Sequence, residues 1–376
     1  MPIQRAKPRF SEVKNVSNIT ADQLNIGQIG GRRNIIINGA MQVAQRATSA
    51  TSITTTGYHT VDRFKPNINT MGTYTISQST TAPTDFTTSL KIDCTTADAS
   101  PASGDSLTIQ HRIEGQNLQH LNFGSSSSQP ITLSFHVRSN KTGTFVVSAY
   151  LADTGKQWGK TYTINSANTW EKKTIIWESS TNSATINDDN GDGLILTWYL
   201  GVGSGRTSGS AQTDWTTYAT ADEAVGQTVN IADSTSNEFY LTGVQLEVGS
   251  VATPFEHRSY GDELYLCQRY FEVSGTGSDN PAGYHFKNMF VGISQLDAYV
   301  QGQQFKVEKR ADATVTLFSR AGTSGKVSAF DTGSDVANNH APNVTGSVGF
   351  HAVQRNTGTY TVGKGYEYGY TADAEL

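Results

Sequence analysis

Residues 131–137 read ITLSFHV, and apolar and polar side chains alternate through the whole stretch. The alternation places Ile131, Leu133, Phe135 and Val137 on one face of a strand, with hydroxyl and imidazole side chains on the other face. A period of two is typical of a half-buried β-strand. The stretch therefore predicts a sheet that covers a core with one face and meets solvent with the other.

Strands of the same kind recur along the chain. Clusters of Ser, Asn, Gly and Lys separate them, as in residues 139–143, and such clusters form turns. The further strands predicted in this region are 144–150, 160–164, 173–177, 194–200 and 238–246. Because no long helical pattern intervenes, they predict an all-β sandwich or barrel over residues 34–260.

The remaining segments differ from this pattern. Residues 261–271 carry Asp262 and Glu263 ahead of apolar residues at helical spacing, which predicts a short connecting helix. Residues 272–376 are expected to form a smaller C-terminal β domain, with strands at 286–293, 304–307, 313–318, 346–353 and 365–371. Residues 1–33 are rich in Arg and Lys, and we interpret them as an extended N-terminal arm.

Composition excludes several classes of function. The 376-residue chain has a formal net charge of −5, and 16% of its residues are charged, against roughly 25% in an average protein. Binding to nucleic acid depends on clustered Lys and Arg, so none is expected. No stretch approaches the ~18 consecutive apolar residues of a membrane helix, and no apolar run near residue 1 resembles a signal peptide. Membrane insertion and export by that route are therefore not expected.

Motifs for catalysis are missing from the sequence. It contains no Gly-x-Ser-x-Gly, no His-Glu-x-x-His and no phosphate-binding glycine loop ahead of a helix. Cys94 and Cys267 lie far apart, and we expect both to be thiols. We predict a protein that is not an enzyme and holds no cofactor, apart from the calcium considered next. Glycosidase carboxylates can come from remote strands, which keeps a polysaccharide depolymerase open as an alternative.

Residues 187–193, NDDNGDG, are the densest group of oxygen ligands in the sequence. Calcium takes about six to eight oxygens from loops of this type, so Asp188, Asn190 and Asp192 are candidate calcium ligands. The run is not an EF-hand, because counting from Asp188 puts Tyr199 where that loop needs a bidentate Glu. Asn-Gly and Asp-Gly are also frequent turn formers, and the turn interpretation is preferred.

Five Trp and 16 Tyr suggest sugar binding, because aromatic rings stack on pyranose rings. Trp158, Trp215 and Tyr218 lie in polar stretches and are candidate glycan ligands. A loop tucked onto the sandwich, or a subunit contact, is the alternative for the two indoles. Tyr366 and Tyr368 share a strand face and are further candidates, although a buried or intersubunit face is the favoured interpretation there.

Several segments together resemble one group of known proteins. They include NIIINGAMQVAQR (34–46), YHTVDRF (58–64), ITLSFHVRSNKTGTF (131–145), ANTWEKKTI (167–175), NDDNGDGLIL (187–196), LTGVQLEVGSVATPFEHRSYGDELYLCQRYF (241–271) and YGYTADAEL (368–376). They are similar to bacteriophage and prophage virion proteins described as tail fibre or tail-associated adhesin proteins. The resemblance implies a jelly-roll sandwich of the carbohydrate-binding-module type in the first β region, and assembly as a homotrimer.

These observations lead to an expected function. We expect a phage virion protein, in the tail rather than the head and assembled in the host cytoplasm. Residues 1–33 would attach it to other virion proteins, and the β domains would bind a bacterial surface polysaccharide. The first alternative is a head-decorating or tail-reinforcing protein that binds no sugar, and the second is a tail-spike depolymerase.

Overall fold

The fold is almost entirely β-structure. The computed structural model describes residues 33–179, 184–275, 287–290, 297–298, 303–337, 339–355, 361 and 363–376. Within these ranges the chain forms one α-helix, α1 (Tyr260–Gln268), and none of the helices there is long and apolar enough to cross a membrane. The predicted all-β class is confirmed, whereas the predicted N-terminal arm, apart from Arg33, lies outside the described residues.

The first domain is a sandwich of two antiparallel six-stranded sheets. In spatial order the first sheet holds β1 (Ser49–Ile53), β3 (Thr73–Ser79), β4 (Ser89–Thr96), β12 (Glu238–Val248), β6 (Ile131–Ser139) and β9 (Glu171–Trp177). The second sheet holds β11 (Thr216–Thr217), β8 (Lys156–Ile164), β7 (Gly143–Leu151), β10 (Asp192–Val202), β5 (Ser106–Glu114) and β2 (Phe64–Asn69). Strands β4-β12-β6-β9 face β5-β10-β7-β8, which is the strand order of a jelly roll.

The inner faces of the two sheets form one core, as the alternation in β6 predicts. Ile131, Leu133, Phe135 and Val137 are all fully buried. Phe135 meets Trp198 of the opposite sheet edge to face, with ring centroids 5.8 Å apart. Burying each such side chain contributes roughly 1.5–3 kcal/mol, so contacts of this kind between the sheets are the main stabilising force of the domain.

The C-terminal domain is organised around one long strand, β21 (Gly365–Asp373), which pairs with four others. A second strand, β20 (Gly349–Arg355), pairs with three. The partners of β21 are β13 (Phe271–Val273), β14 (Lys287–Phe290), β17 (Thr314–Phe318) and β18 (Ser328–Ala329). The other group is β15 (Asp297–Ala298), β16 (Gln303–Gln304), β19 (His340–Thr345) and β20 (Gly349–Arg355). The predicted strand 304–307 is wrong beyond its first residue, and the sequence pattern does not predict β19.

A buried arginine joins the two domains. The side chain of Arg63 is fully buried; its guanidinium forms an ion pair with Glu375 and lies 3.4 Å from the ring centroid of Tyr270. Arg46 supports the same carboxylate at 3.3 Å and contacts Asp373 at 3.0 Å. Since an isolated buried charge is costly, these partners fix the last strand of the second domain against the first.

The segments that carry the sequence resemblance meet around this junction. The side-chain oxygen of Asn34 accepts a hydrogen bond from the backbone N–H of Leu246 at 3.1 Å. The backbone N–H of Asn34 donates to the carboxylate of Glu256 at 2.7 Å. A second link is made by Glu263 of α1, which accepts from the N–H of Asn38. Residues 34–46 are thus held by the 241–271 segment through polar contacts on both sides.

The buried ion pair makes a testable prediction about stability. Glu375→Ala leaves the Arg63 charge buried without its carboxylate, so we expect the free energy of unfolding to fall by about 3 kcal/mol. Urea denaturation measures this change. The matched control is Asp331→Ala, which removes half of an exposed ion pair with Lys364 and is expected to change stability little. Equal effects of the two substitutions would contradict the role given to Glu375.

Candidate functional site

The structure places Trp158 and Trp215 in the core, which corrects their prediction as glycan ligands. Each is 4% exposed, and both belong to the sandwich core. Their rings meet edge to face with centroids 6.0 Å apart. The indole N–H of Trp215 donates to the carbonyl of Glu178 at 3.0 Å, and that of Trp158 donates to the carbonyl of Gln212 at 3.1 Å. Trp158 therefore lies on the core face of strand β8, and the stretch that carries Trp215 is tucked onto the sandwich.

Side chains also form hydrogen bonds with backbone groups at the open edge of the sandwich. Strand β9 is the last strand of its sheet, and β11 covers only the first residues of β8. Side chains donate to two backbone carbonyls of β9 and the residue after it at this edge: Lys160 to Ile176 and Trp215 to Glu178. On β8 the backbone N–H of Gly159 donates to the side chain of Gln212 at 2.7 Å. Trp158 borders a cavity of about 610 Å³ at this edge, but the ammonium of Lys160 lies 4.1 Å from its ring centroid and covers its face.

Tyr366 and Tyr368 do not form a binding platform. They are 6% and 0% exposed and lie in the core of the C-terminal domain. Tyr368 packs against Phe350 with ring centroids 6.3 Å apart. Their proposed ligand role is therefore wrong, and the favoured interpretation of a buried strand face is right, because strands of both groups in this domain cover the tyrosine side of β21.

Two of the three predicted calcium ligands are engaged elsewhere. Asp192 forms an ion pair with Arg112, and the side-chain amide of Asn190 donates to the carbonyl of Arg310 in the second domain. Asp188 is exposed and is not brought together with them into a cluster. In the part of the chain that the structure describes, no group of three or more His, Cys, Asp or Glu side chains could hold a metal ion. The segment serves as the connection into β10.

A groove of about 300 Å³ crosses the outer face of the second sheet; we call it the polar trough. Its lining includes Asn67, Thr108, Gln110, Thr197, Arg206 and Glu223. The floor follows from strand register, because residues on one face of paired strands lie side by side. One row runs Asn67–Thr108–Tyr199 and the next runs Gln110–Thr197–Ser148.

Loops and strand ends form the walls of the polar trough. The connection between β10 and β12 brings Arg206 and Glu223 together as an ion pair along one side. On the other side, Asn69 at the end of β2 donates to the carbonyl of Gly104 at 2.8 Å, and Arg206 reaches the same carbonyl at 3.4 Å. The two walls therefore meet at Gly104, which closes one end of the trough.

Several polar groups in the trough have no hydrogen-bond partner in the part of the chain that the structure describes. The side-chain N–H groups of Asn67 and Gln110 make no hydrogen bond among the described residues, and the Thr197 hydroxyl makes none either. The buried hydroxyl of Thr108 also lacks a partner there. Tyr199 differs, since its hydroxyl lies 3.3 Å from that of Ser148 and burial raises its pKa. The open donors and acceptors are suited to a ligand rich in hydroxyl groups.

Tyr218 is the aromatic candidate that the structure leaves exposed. Its side chain is 44% exposed, packs edge to face on Tyr150 and donates to Glu223 at 2.5 Å, at the wall of the polar trough. Burial and this hydrogen bond raise the pKa of the Tyr218 phenol. The alternation in residues 106–114 could have indicated Thr108 and Gln110, because its outward positions are polar. Nothing local in the sequence indicates that Arg206 and Glu223 join them.

Comparisons with known proteins give no family. No protein-family model matches the chain, and no curated protein matches it significantly. Solved structures that match include the enzymatically active domain of tailspike protein 4 from bacteriophage CBA120. That match has 11% identity, covers 57% of this chain and 21% of the other, and has a TM-score of 0.29. This chain therefore spans only about a fifth of the length of that tailspike domain.

Two further matches are proteins described as carbohydrate binding. A sugar binding protein from Bacteroides thetaiotaomicron has 13% identity and a TM-score of 0.31, and the match covers 57% of this chain and all of the other. A family 11 carbohydrate-binding module from Clostridium thermocellum, solved with a mixed-linked tetrasaccharide, has 8% identity and a TM-score of 0.27; the coverage is 55% and 99%. TM-scores this low carry no argument about function.

The buried position of Trp215 leads to a prediction. Trp215→Ala removes a large side chain from the core, so we expect the free energy of unfolding to fall by about 3 kcal/mol or more. Urea denaturation followed by circular dichroism measures this. Tyr265→Ala, at a side chain that is 60% exposed, is the control and should change stability little. A Trp215 variant of normal stability that loses polysaccharide binding would show that the indole is a ligand after all.

Proposed function

We propose that this chain is a non-enzymatic, glycan-binding protein of a bacteriophage particle, a homotrimeric tail fibre or adhesin. The observation that carries the proposal is the polar trough, a groove on the outer face of a jelly roll. Within the described part of the chain, the side-chain N–H groups of Asn67 and Gln110 and the hydroxyls of Thr108 and Thr197 make no hydrogen bond there. Such groups exchange hydrogen bonds with the hydroxyls of sugars. The sequence resemblance to phage tail fibre and adhesin proteins supports assembly in the host cytoplasm and a place in the virion.

The exposed Tyr218 adds an apolar surface to these polar groups. Its ring stands beside Glu223 at the trough wall and is available to stack on a pyranose ring. At about 300 Å³ the trough lies at the small end of ligand pockets, so each site holds a short stretch of glycan. Three sites on a trimer would act together through avidity, which makes weak single sites sufficient for attachment.

The single carboxylate among the described lining residues favours binding without hydrolysis. Glycoside hydrolysis generally uses two carboxyl groups about 5–9.5 Å apart. Among the described residues that line the trough, Glu223 is the only acid. Its two oxygens are already occupied by Arg206 and Tyr218. A depolymerase would need a second carboxylate at this groove, so we retain it only as an alternative.

Glycan binding at the trough is tested with a panel of bacterial and plant polysaccharides in affinity gel electrophoresis. We expect the chain to be retarded by at least one neutral polysaccharide. Gln110→Ala should weaken that binding by about fivefold to tenfold, the equivalent of one hydrogen bond of about 1 kcal/mol. Gln129→Ala, at an exposed glutamine outside the trough, is the matched control and should bind as the unchanged chain does.

A loss of binding in both variants, or in neither, would contradict the placement of the site. A correctly folded chain that binds no polysaccharide in the panel would argue for the alternative of a structural virion protein.

The place in the virion is tested separately by imaging particles labelled with an antibody against the chain. We expect label in groups of three copies that project from the tail. Label spread over the head lattice would instead favour a head-decorating protein, and absence of label from particles would overturn the virion assignment.

A further inference from the structure

We infer that the ligand of the polar trough is an uncharged glycan, and that the ion pair between Arg206 and Glu223 determines this specificity. The inference rests on the proposed function, since it names the class of glycan bound at the same site. We thus assign to Arg206 and Glu223 the selection of ligands by charge. The variants below distinguish this role from one in holding the loop.

Both oxygens of the Glu223 carboxylate, a residue that is 7% exposed, already accept hydrogen bonds within the protein. One oxygen accepts from the guanidinium of Arg206, and the other accepts from the hydroxyl of Tyr218 at 2.5 Å. Arg206 also donates to the carbonyl of Gly104 at 3.4 Å. Its Nε–H is buried and has no hydrogen-bond partner among the described residues. Among the lining residues that the structure describes, Arg206 is the one cation, and it is therefore already neutralised.

The rest of the lining carries no charge. Apart from Arg206 and Glu223 it consists of amide, hydroxyl and aliphatic side chains. Two cations lie on the same sheet face but do not line the trough: Arg112 is paired with Asp192, and the ammonium of Lys65 lies 3.5 Å from the carbonyl oxygen of Leu376. The trough as a whole is thus formally neutral.

This balance disfavours an acidic sugar. The carboxylate of a uronic acid would have to compete with Glu223 for Arg206, and Glu223 itself would repel it at short range. A neutral sugar meets no such repulsion, because its hydroxyls can donate to and accept from the open groups of the floor. The expected ligand is therefore a neutral glycan, and unpairing Arg206 should change the preference.

The test uses matched polysaccharides that share a backbone and differ in charge. Three such pairs are hydroxyethyl and carboxymethyl cellulose, dextran and carboxymethyl dextran, and methyl-esterified and de-esterified polygalacturonan. Affinity gel electrophoresis of the full chain gives a dissociation constant for each member. We expect the chain to bind the neutral member of at least one pair tenfold or more tightly than the acidic member.

Variants then assign the preference to the ion pair. Glu223→Gln keeps the size of the side chain and frees the charge of Arg206, so we expect the ratio of neutral to acidic binding to fall by about tenfold. The double variant R206Q/E223Q restores neutrality and should restore the original ratio. Asp331→Asn makes the same change of charge at the exposed pair with Lys364 in the second domain, and should leave the ratio within twofold.

The outcomes distinguish the two proposals. A preference for the acidic members, an unchanged ratio in Glu223→Gln, or an equal shift in Asp331→Asn would overturn the inference while the trough remained a glycan site. If Glu223→Gln unfolds, the double variant R206Q/E223Q decides. A ratio of neutral to acidic binding that departs from that of the unchanged chain would overturn the inference. If the chain binds none of the six polysaccharides, the proposed function is overturned, and the inference with it.

Discussion

A positive charge that water does not reach organises the connection between the two domains. The guanidinium of Arg63 lies between the ring of Tyr270 and the carboxylate of Glu375, and it also donates to the carbonyl of Arg112 at 2.6 Å. The backbone of Arg63 has a φ of +69°, a left-handed conformation that costs energy for a residue with a Cβ. Both costs are offset only when the strands of the two domains are in place together.

The sequence segments that resemble phage virion proteins belong largely to this junction, and the trough does not. Asn34, Arg63, Tyr270 and Glu375 all lie within those segments, whereas the trough is lined from positions 67, 108, 110, 197, 206 and 223, which lie outside them. The segments of the resemblance and the lining of the trough therefore occupy different positions along the chain.

Much of the fold could be predicted from the sequence, because burial on one face of a strand leaves a period of two in the chain. Strand β6 was predicted from that pattern, whereas the helical connector that became α1 was predicted from acids ahead of apolar residues at helical spacing. The site could not be predicted in the same way. Trp158 and Trp215 lie in polar stretches, and only the fold shows that both are buried, the first within strand β8 and the second in the connection before β11. Arg206 and Glu223 meet across 17 residues of irregular chain, where no periodicity exists to indicate it.

The side chains that close the sandwich edge have a consequence for many copies held close together. An exposed edge strand is a template on which another chain can add its own strand and start a fibril. Here the carbonyls of Ile176 and Glu178 already accept hydrogen bonds from a lysine and an indole. A foreign strand would have to break these bonds and expose buried rings before it could pair. The core aromatics thus also protect the protein against unregulated polymerisation.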